Sequence, residues 1–584
     1  MGWLDAHRKF AMAVTLLVGA LPALYIGWFV ARYGVEVPLM DDWEMAPLIA
    51  KAHTGQLTFN DLFEQQEEAR TFFPKLIFIL SGMDGHWDVR DEMMFSVVIC
   101  AITALGVFVL LRRSGVGLAA SALCFWISAL LMFSPAQFEL WLFASGFPSY
   151  MPVLCILGAL LACETRWSLG VKFAISAVLA TISTFTLAHG MLAWGLTFPV
   201  FLAAHRVRSW KWWAAWAAAT CAAAAAYFYD YRKPAHLPDF APVMSAVDYV
   251  QFFLAFIGGT FAYAAEQQRV AMATAVGAVV LIALLLAAIY SALRLKDAEF
   301  IRRVAPWFAL ALYSIGSGVL VVLGRGAFGL EYAISSRYVT FSLYAVVALV
   351  ALAAIIGGEL LRRRTAIWSR ALVITAIVLL GGTGVYLYEL HFKQCVRVMH
   401  SIAARNRLAR TALVFSPAVD TTGIIKRLNY PDPQRAITRA AELDALRILR
   451  PPLVRTREIA ALPHGEVDEK SAAGWCDVIV PEHGEQFRAS GWAALSGKGR
   501  PADAVVLAYQ DPDGAWIAFA MSDAVVRRRD IKKLLGNRDQ LWSGWTVTFR
   551  RDAVPAGAPI SAWAVDIDGP RLYRLKQNAA ELKL

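Results

Sequence analysis

The chain has 584 residues, of which 58% are hydrophobic and 17% are charged. Soluble globular proteins contain roughly 45–50% apolar residues, so this composition excludes an ordinary soluble protein and indicates several membrane-spanning helices. The formal net charge is +11, but most Lys and Arg residues lie in short loops or near the ends of apolar segments. That distribution is typical of membrane topology rather than of a nucleic-acid surface, so we expect no nucleic-acid partner.

The seven cysteines show neither a CxxC motif nor the spacing of metal ligands. Five of them lie in apolar segments and are predicted to be small core residues. Cys395 and Cys476 fall outside those segments, and nothing else in the sequence supports a disulfide between them. The cysteines therefore predict no metal site.

A helix needs about 20 residues to cross the hydrocarbon core of a membrane. Apolar segments near that length predict eleven spans, and their Lys and Arg flanks place the N-terminus in the cytoplasm and the C-terminal region outside. The predicted spans are 11–31, 93–111, 118–133, 151–163, 171–187, 191–204, 212–229, 271–293, 304–323, 338–359 and 371–388. Two further apolar segments, Phe72–Gly82 and 250–265, are interpreted as interfacial or re-entrant helices on the outer side.

The composition changes after residue 388. Residues 1–388 are predicted to form a transmembrane catalytic domain, and residues 389–470 a mostly helical periplasmic connector. Residues 471–584 contain seven short alternating or apolar runs separated by Pro, Gly and Asp, a pattern that predicts a β-sandwich. The predicted fold class is a polytopic α-helical membrane protein with a C-terminal soluble domain.

The most informative polar residues are Asp41 and Asp42, which follow the first predicted span. Two adjacent carboxylates are costly to hold beside hydrocarbon, which favours a chemical role over packing. A carboxylate near an acceptor hydroxyl can take its proton as the oxygen attacks. The alternative is that the pair caps an interfacial helix beginning at Trp43.

Three arginines are also predicted to lie at the outer face. Arg70 precedes the first short helix, and Arg325 and Arg337 lie between the ninth and tenth predicted spans. A guanidinium group matches phosphate oxygens in a bidentate fashion, so these residues are candidates to bind a leaving lipid phosphate. Interfacial anchoring remains the alternative for Arg70. Snorkelling remains the alternative for Arg325 and Arg337, although both oppose the positive-inside bias.

Further candidates share the same predicted side of the membrane. His189 is either a satisfied loop histidine or a site residue, and Glu331 is most simply an ion-pair partner of one arginine. The candidates for donor or acceptor contacts are Trp43, Glu67, His189, Arg232, Glu331 and Tyr338.

These features together resemble a known enzyme class. The motif Met40-Asp41-Asp42-Trp43 lies in a long first external loop, and Gly324-Arg325 and Ser335-Ser336-Arg337-Tyr338 lie before a late span. With the two surface helices, residues 1–388 resemble the GT-C class of integral-membrane glycosyltransferases. The resemblance implies a GT-C-like fold.

The resemblance also implies an activity. A hexosyl or pentosyl group would pass, with inversion, from a polyprenyl-phosphate donor to a glycan or lipid acceptor at the periplasmic face of a bacterial inner membrane. Asp41 or Asp42 would match the catalytic acid of the family, and the arginines would match its phosphate contacts. Many members carry Asp-Glu where this chain has Asp-Asp, which leaves the identity of the base open. Some members bind a divalent cation such as Mg²⁺ or Mn²⁺, but the sequence presents no firm set of metal ligands.

Two other functions stay open at this point. A glycan polymerase or ligase would move a preassembled glycan rather than one sugar. A transporter or flippase of lipid-linked glycans should place polar groups near the bilayer midplane, whereas here they are predicted at one face. By analogy, the predicted β-sandwich looks like a carbohydrate-binding module. We expect the Asp pair to share one pocket with Arg325 and Arg337.

Overall fold

The computed structural model describes residues 2–234, 245–363, 367–453, 457–467, 471–522, 524–577 and 582–583. The chain divides into two compact units, each assembled from separate stretches of sequence. The first unit comprises Met1–Gly34, Thr58–Phe78 and Arg90–His400. The second comprises Val35–Leu57, Ile79–Val89 and Ser401–Leu584.

The described residues are mostly helical. The first α-helices are α1 (Gly2–Tyr33), α2 (Ala46–His53), α3 (Phe59–Phe63), α4 (Phe72–Gly82), α5 (Val89–Arg113), α6 (Leu118–Met132) and α7 (Phe138–Trp141). They are followed by α8 (Met151–Cys163), α9 (Leu169–Thr184), α10 (Ala193–Leu196), α11 (Phe198–Ala204), α12 (Trp210–Phe228), α13 (Ala246–Gly258) and α14 (Arg269–Ala292). The last are α15 (Ala298–Arg325), α16 (Ser336–Arg363), α17 (Ile367–Val414), α18 (Thr422–Leu428), α19 (Pro433–Ala445) and α20 (Arg529–Leu535).

Within the described part of the chain, 8 helical segments are long and apolar enough to cross a membrane. They are Lys9–Tyr33, Val89–Arg113, Leu118–Trp141, Ala144–Cys163, Ala246–Ala264, Arg269–Ala292, Ala298–Phe328 and Ser336–Leu361. Seven of them coincide with predicted spans. The remaining one, Ala246–Ala264, covers the segment that the sequence predicts to be interfacial or re-entrant. These helices are compatible with a multi-pass membrane protein.

The other four predicted spans are not among these eight helical segments. The fifth corresponds to the 16-residue helix α9, and the sixth is divided between α10 and α11 at Thr197. The seventh corresponds to α12, and the segment at 371–388 falls within α17. The total of eleven therefore stays a prediction.

Two glycines set the distance between α13 and α14 in the first unit. A Cβ atom at Gly277 would lie 1.9 Å from the carbonyl oxygen of Leu254, and one at Gly258 would lie 1.9 Å from that of Ala273. Real Cβ atoms do not approach backbone oxygens so closely, so only glycine permits this backbone contact. The two helices are therefore packed through a small-residue interface, as is common between membrane helices.

The second unit ends in a domain of two six-stranded sheets. Its strands are β1 (His464–Glu466), β2 (Ala473–Pro481), β3 (Gln486–Leu495), β4 (Arg500–Pro501), β5 (Ala504–Gln510) and β6 (Trp516–Met521). They continue with β7 (Ala524–Val526), β8 (Gly544–Arg550), β9 (Pro559–Asp566), β10 (Arg571–Arg574), β11 (Lys576–Gln577) and β12 (Leu582–Lys583). All seven runs that the sequence predicts to be strands form strands.

One sheet has the order β1-β10-β9-β5-β6, with β12 also pairing with β9. The other has the order β11-β2-β3-β8-β7, with β4 also pairing with β3. Side chains alternate in burial along β3, where Ala489 and Ala493 point inward, as expected for a strand with one covered face. Both sheets contribute to one buried cluster that includes Leu507 and Trp545.

All seven cysteines are free thiols, including Cys395 and Cys476. The structure therefore contains no disulfide between them.

We expect Gly277→Ala to destabilise the first unit by about 1–3 kcal/mol, because the added methyl group forces α13 and α14 apart. The measurement is thermal unfolding of the purified full chain in detergent. The matched control is Gly357→Ala in α16, where no atom lies within 4 Å of the new Cβ and the substitution favours the helix. Equal melting temperatures for the two variants would contradict the close packing of α13 and α14.

Candidate functional site

The acidic segment lies in the second unit, in a single 3₁₀ turn over Met40–Glu44. Leu39 before the turn is extended, and its amide donates a 3.0 Å hydrogen bond to Asp42 Oδ2. Asp42 is completely buried. Its carboxylate therefore caps the start of this turn from a position inside it, whereas the sequence offered the pair as the cap of a helix beginning at Trp43.

Asn429 holds this turn in place from a distant part of the sequence. Its side-chain amide donates to the Pro38 carbonyl at 2.8 Å and accepts from Trp43 Nε1 at 2.7 Å. Its backbone carbonyl accepts from the Met40 amide at 2.8 Å. Met40 has φ +42°, a left-handed conformation that is uncommon outside glycine and needs such support. Trp43, proposed from the sequence as a substrate contact, is fully buried and serves as an anchor.

Glu44, the last residue of the turn, is held by a second set of contacts. Arg439 donates to both of its carboxylate oxygens, at 3.0 and 3.1 Å, and Arg435 lies 3.5 Å away. Tyr430 also donates to Glu44. Burial by itself raises the pKa of Glu44, but the hydrogen bonds from Arg439 and Tyr430 outweigh it, so the pKa is lower than its ordinary value.

The two aspartates differ in accessibility. Asp42 is inaccessible, whereas Asp41 is exposed. A general base must come within hydrogen-bond reach of the proton that it removes. Asp41 is therefore the carboxylate of the pair that a substrate hydroxyl can reach.

The candidate phosphate residues lie in the first unit, where Arg325 forms an ion pair with Glu68. The Arg325 side chain is 20% exposed and that of Glu68 31% exposed, so both charges are largely withdrawn from water. Arg325 Nη1 is buried and has no hydrogen-bond partner among the described residues. A buried guanidinium nitrogen without an acceptor is costly, so this atom is a candidate ligand donor.

His189 lies beside this ion pair. Its ring stacks on Phe341 with centroids 4.4 Å apart, and both ring nitrogens are buried without a partner in the described part of the chain. Glu68 and Arg325 are the charged groups that act on the imidazole. We call Glu68, His189 and Arg325 the Arg325 cluster. It places an ion pair next to three polar atoms that have unused hydrogen-bonding capacity.

Arg337 is exposed, and two tyrosines connect it to this cluster. Its guanidinium donates to Tyr332 Oη and lies 5.6 Å from the ring centroid of Tyr338, a residue on which Arg325 also acts. Its backbone amide donates to Glu139 at 3.2 Å. Arg325 and Arg337 thus both lie near Tyr338.

Arg70 is committed to the backbone. Its guanidinium donates to the carbonyls of Phe63 and Tyr227, both at 2.7 Å, and to that of Tyr229. The residue is only 4% exposed and lies over the Phe63 ring. Because each guanidinium nitrogen donates to a backbone carbonyl, Arg70 holds two chain segments together, and its role as a phosphate ligand stays a prediction.

The remaining candidates occupy exposed positions. Glu67 is exposed beside Glu68, the carboxylate that contacts Arg325. The Arg232 side chain is 84% exposed and lies 3.6 Å from Asp230. Glu331 is exposed, and within the described residues it forms no ion pair with an arginine.

Asp41 and Asp42 belong to the second unit, and Arg325 and Arg337 belong to the first. A pocket shared by the aspartates and the arginines stays a prediction.

One group of potential metal ligands occurs in the described residues. Atoms of Glu36, His86 and Asp88 in the second unit lie within 4.8 Å of one another. Glu36 also accepts a 3.3 Å hydrogen bond from Arg410, and His86 Nε2 lies 3.0 Å from the Arg450 carbonyl. Glu36 and His86 thus already contact protein groups. The three residues by themselves do not define a metal site. The sequence showed no ligand spacing here because Glu36 is 50 residues from His86.

Comparison of the chain with family models, with curated proteins and with solved structures finds no match.

We expect Asn429→Ala to lower the stability of the acidic turn by about 2–4 kcal/mol, since two buried hydrogen bonds are lost and Trp43 Nε1 is left without an acceptor. Hydrogen–deuterium exchange of the peptide over residues 36–45 should become faster. The control is Gln434→Ala, which removes an exposed amide from α19. Unchanged exchange in Asn429→Ala would show that other contacts hold the turn.

The second unit should lose stability in acid through Glu44. Because the pKa of Glu44 is lower in the folded chain than its ordinary value of 4.5, its contacts stabilise the fold above about pH 4.5. That contribution disappears as the pH falls through the folded pKa. We expect Glu44→Gln to be less stable at pH 7 and to depend less on pH below 4.5, as measured by urea unfolding. Glu485→Gln, at a carboxylate 77% exposed, is the control and should leave the pH profile unchanged.

Proposed function

We propose that the chain is a membrane glycosyltransferase that moves one sugar from a polyprenyl-phosphate donor to a glycan or lipid acceptor. The proposal places the reaction at the periplasmic face of a bacterial inner membrane. The observation that carries it is the Arg325 cluster, in which Arg325 Nη1 and both His189 nitrogens are buried without partners among the described residues. A lipid phosphate supplies acceptor oxygens for Arg325 Nη1 and for the one N–H of the neutral His189 ring.

The charge of the cluster fits this assignment. Glu68 forms an ion pair with Arg325 and holds its guanidinium group in a largely buried position. Arg325 Nη1 is already largely removed from water. A phosphate that binds there therefore causes little further desolvation of the guanidinium group. Arg337, exposed beside Tyr332 and Tyr338, is a second donor for the same phosphate.

Asp41 is the proposed general base. The acceptor oxygen attacks the anomeric carbon, the bond from that carbon to the phosphate oxygen breaks, and the acceptor proton passes to Asp41. A single displacement of this kind inverts the anomeric configuration. The lipid phosphate leaves as an anion without needing an acid. Asp42 positions the turn and does not exchange protons with the acceptor.

Two structural elements complete the proposal. We take residues 1–388 to contain eleven spans in a GT-C-like arrangement. We take the two C-terminal sheets, which share one buried cluster, to be a β-sandwich that binds carbohydrate beside the membrane.

The test measures sugar transfer by the full chain in membrane vesicles supplied with undecaprenyl-phosphate-linked glucose, galactose, mannose or arabinose. We expect Asp41→Asn to lower kcat by about 10²–10⁴-fold, the usual contribution of a general base. Asp513→Asn, another exposed aspartate of the second unit, should leave kcat unchanged. Full turnover by Asp41→Asn would overturn the assignment of the base.

Arg325→Gln removes the cation from a largely buried ion pair with Glu68, so loss of folding has to be separated from loss of activity. The double variant Glu68→Gln/Arg325→Gln removes both charges, so it should fold and yet lose transfer. The product should gain one sugar residue by mass spectrometry. Products longer by many residues would favour a polymerase, and full activity of the folded double variant would overturn the phosphate assignment.

A further inference from the structure

The first unit contains a second arginine-lined site, far from the Arg325 cluster. A cavity of about 370 Å³ is lined by residues that include Arg113, Arg302 and Arg303. Arg113 ends α5, whereas Arg302 and Arg303 lie in the first turns of α15. Arg302 and Arg325 are separated by about 35 Å along α15 at 1.5 Å per residue. That distance exceeds the hydrocarbon thickness of roughly 30 Å, so the two sites lie at opposite ends of a candidate span.

The loop after α5 is shaped to hold one of these arginines. Arg303 Nε donates to the Ser114 carbonyl at 2.7 Å. Gly115 has φ +73°, and a Cβ atom at this position would lie 3.3 Å from Arg303 Nε. Glycine is therefore favoured here both by the backbone conformation and by the approach of the guanidinium. The arginine is fixed by one nitrogen while its other nitrogens stay available.

The arginines of the cavity form no ion pair with a carboxylate among the described residues. Arg113 donates to the Leu161 carbonyl at 2.7 Å. Within the described residues, no carboxylate lies within 4.0 Å of the guanidinium nitrogens of Arg113, Arg302 or Arg303. The cavity also contains Glu164 and Glu299, and Glu164 lies 3.9 Å from His205. Three guanidinium groups face two carboxylates that do not pair with them.

The positive-inside rule explains why arginines occur at this end of the helices, since the sequence predicts it to be cytoplasmic. It does not explain a cavity large enough for a small ligand and lined by arginines from two helices. Nor does it explain the lining glycine, Gly115, that lets Arg303 approach the backbone. Basic pockets between membrane helices on the cytoplasmic side bind anionic lipid head groups. The chemistry shared by such ligands is a phosphate group that accepts hydrogen bonds from guanidinium.

From this geometry we propose that the cavity beside Arg302 and Arg303 is a phosphate-binding site, occupied by the head group of an anionic phospholipid at the membrane boundary. The site is separate from the proposed sugar transfer. Its occupant would tie α5 to α15 at the end opposite the Arg325 cluster.

The test is native mass spectrometry of the full chain in detergent with added phosphatidylglycerol, phosphatidylcholine or inorganic pyrophosphate. We expect retention of phosphatidylglycerol over phosphatidylcholine, weakened about tenfold in Arg302→Gln, since a charge-assisted hydrogen bond is lost. Arg302 is exposed and forms no hydrogen bond or ion pair among the described residues, so this variant should fold. Arg302→Lys should retain part of the binding, and Glu299→Gln should strengthen it.

Arg208→Gln is the matched control, because Arg208 is exposed in the loop before α12, at the same predicted side, and does not line the cavity. Equal loss of lipid in Arg208→Gln and Arg302→Gln would show general attraction to the surface and would overturn the site. Binding of pyrophosphate but not of phosphatidylglycerol, lost in Arg302→Gln, would support the phosphate site and reassign its occupant to a soluble phosphate. Retention of both ligands by Arg302→Gln would overturn the proposal.

Discussion

The ion pair between Glu68 and Arg325 joins residues 257 positions apart in the chain, and the first candidate site depends on it. Both charges are largely removed from water, which is expensive unless each is matched. Glu68 matches one face of the guanidinium, whereas Nη1 is buried without an acceptor among the described residues. A fixed cation with an unused donor is prepared for an anion, because the cost of desolvation has already been met during folding. The neighbouring His189 adds two more unused nitrogens to the same place.

In the second unit, the polar groups of the acidic turn are matched by partners elsewhere in the chain. The acidic turn is fixed by Asn429, which serves Pro38, Met40 and Trp43 together, and Glu44 is matched by Arg439. These contacts reach across more than 380 residues. As a result, Asp42 is buried and caps the turn, whereas Asp41 is exposed at the surface. A rigid turn of this kind holds a base in position better than a mobile loop does.

Much of the fold could be predicted because its signals are local. Seven strand runs and seven spans follow from alternation or from apolar length, which adjacent residues determine. The predictions that differ involve tertiary contacts. Apolar length permits Ala246–Ala264 to cross a membrane, and its Gly258 packs against α14. The sequence could not reveal that Glu68 pairs with Arg325 or that Arg70 donates to three carbonyls, because those partners lie as far as 257 and 159 residues away.

Three arginines show how hydrogen-bond accounting separates structural from binding roles. Arg70 has a backbone carbonyl on every guanidinium nitrogen, so three of its five N–H groups serve the fold. Arg325 has one carboxylate and one spare nitrogen. Arg302 has no hydrogen bond or ion pair within the described chain. Composition treats all three alike, since each is a cation near the end of a helix. Only the occupancy of their donors distinguishes them, and it favours phosphate binding at Arg325 and Arg302 over Arg70.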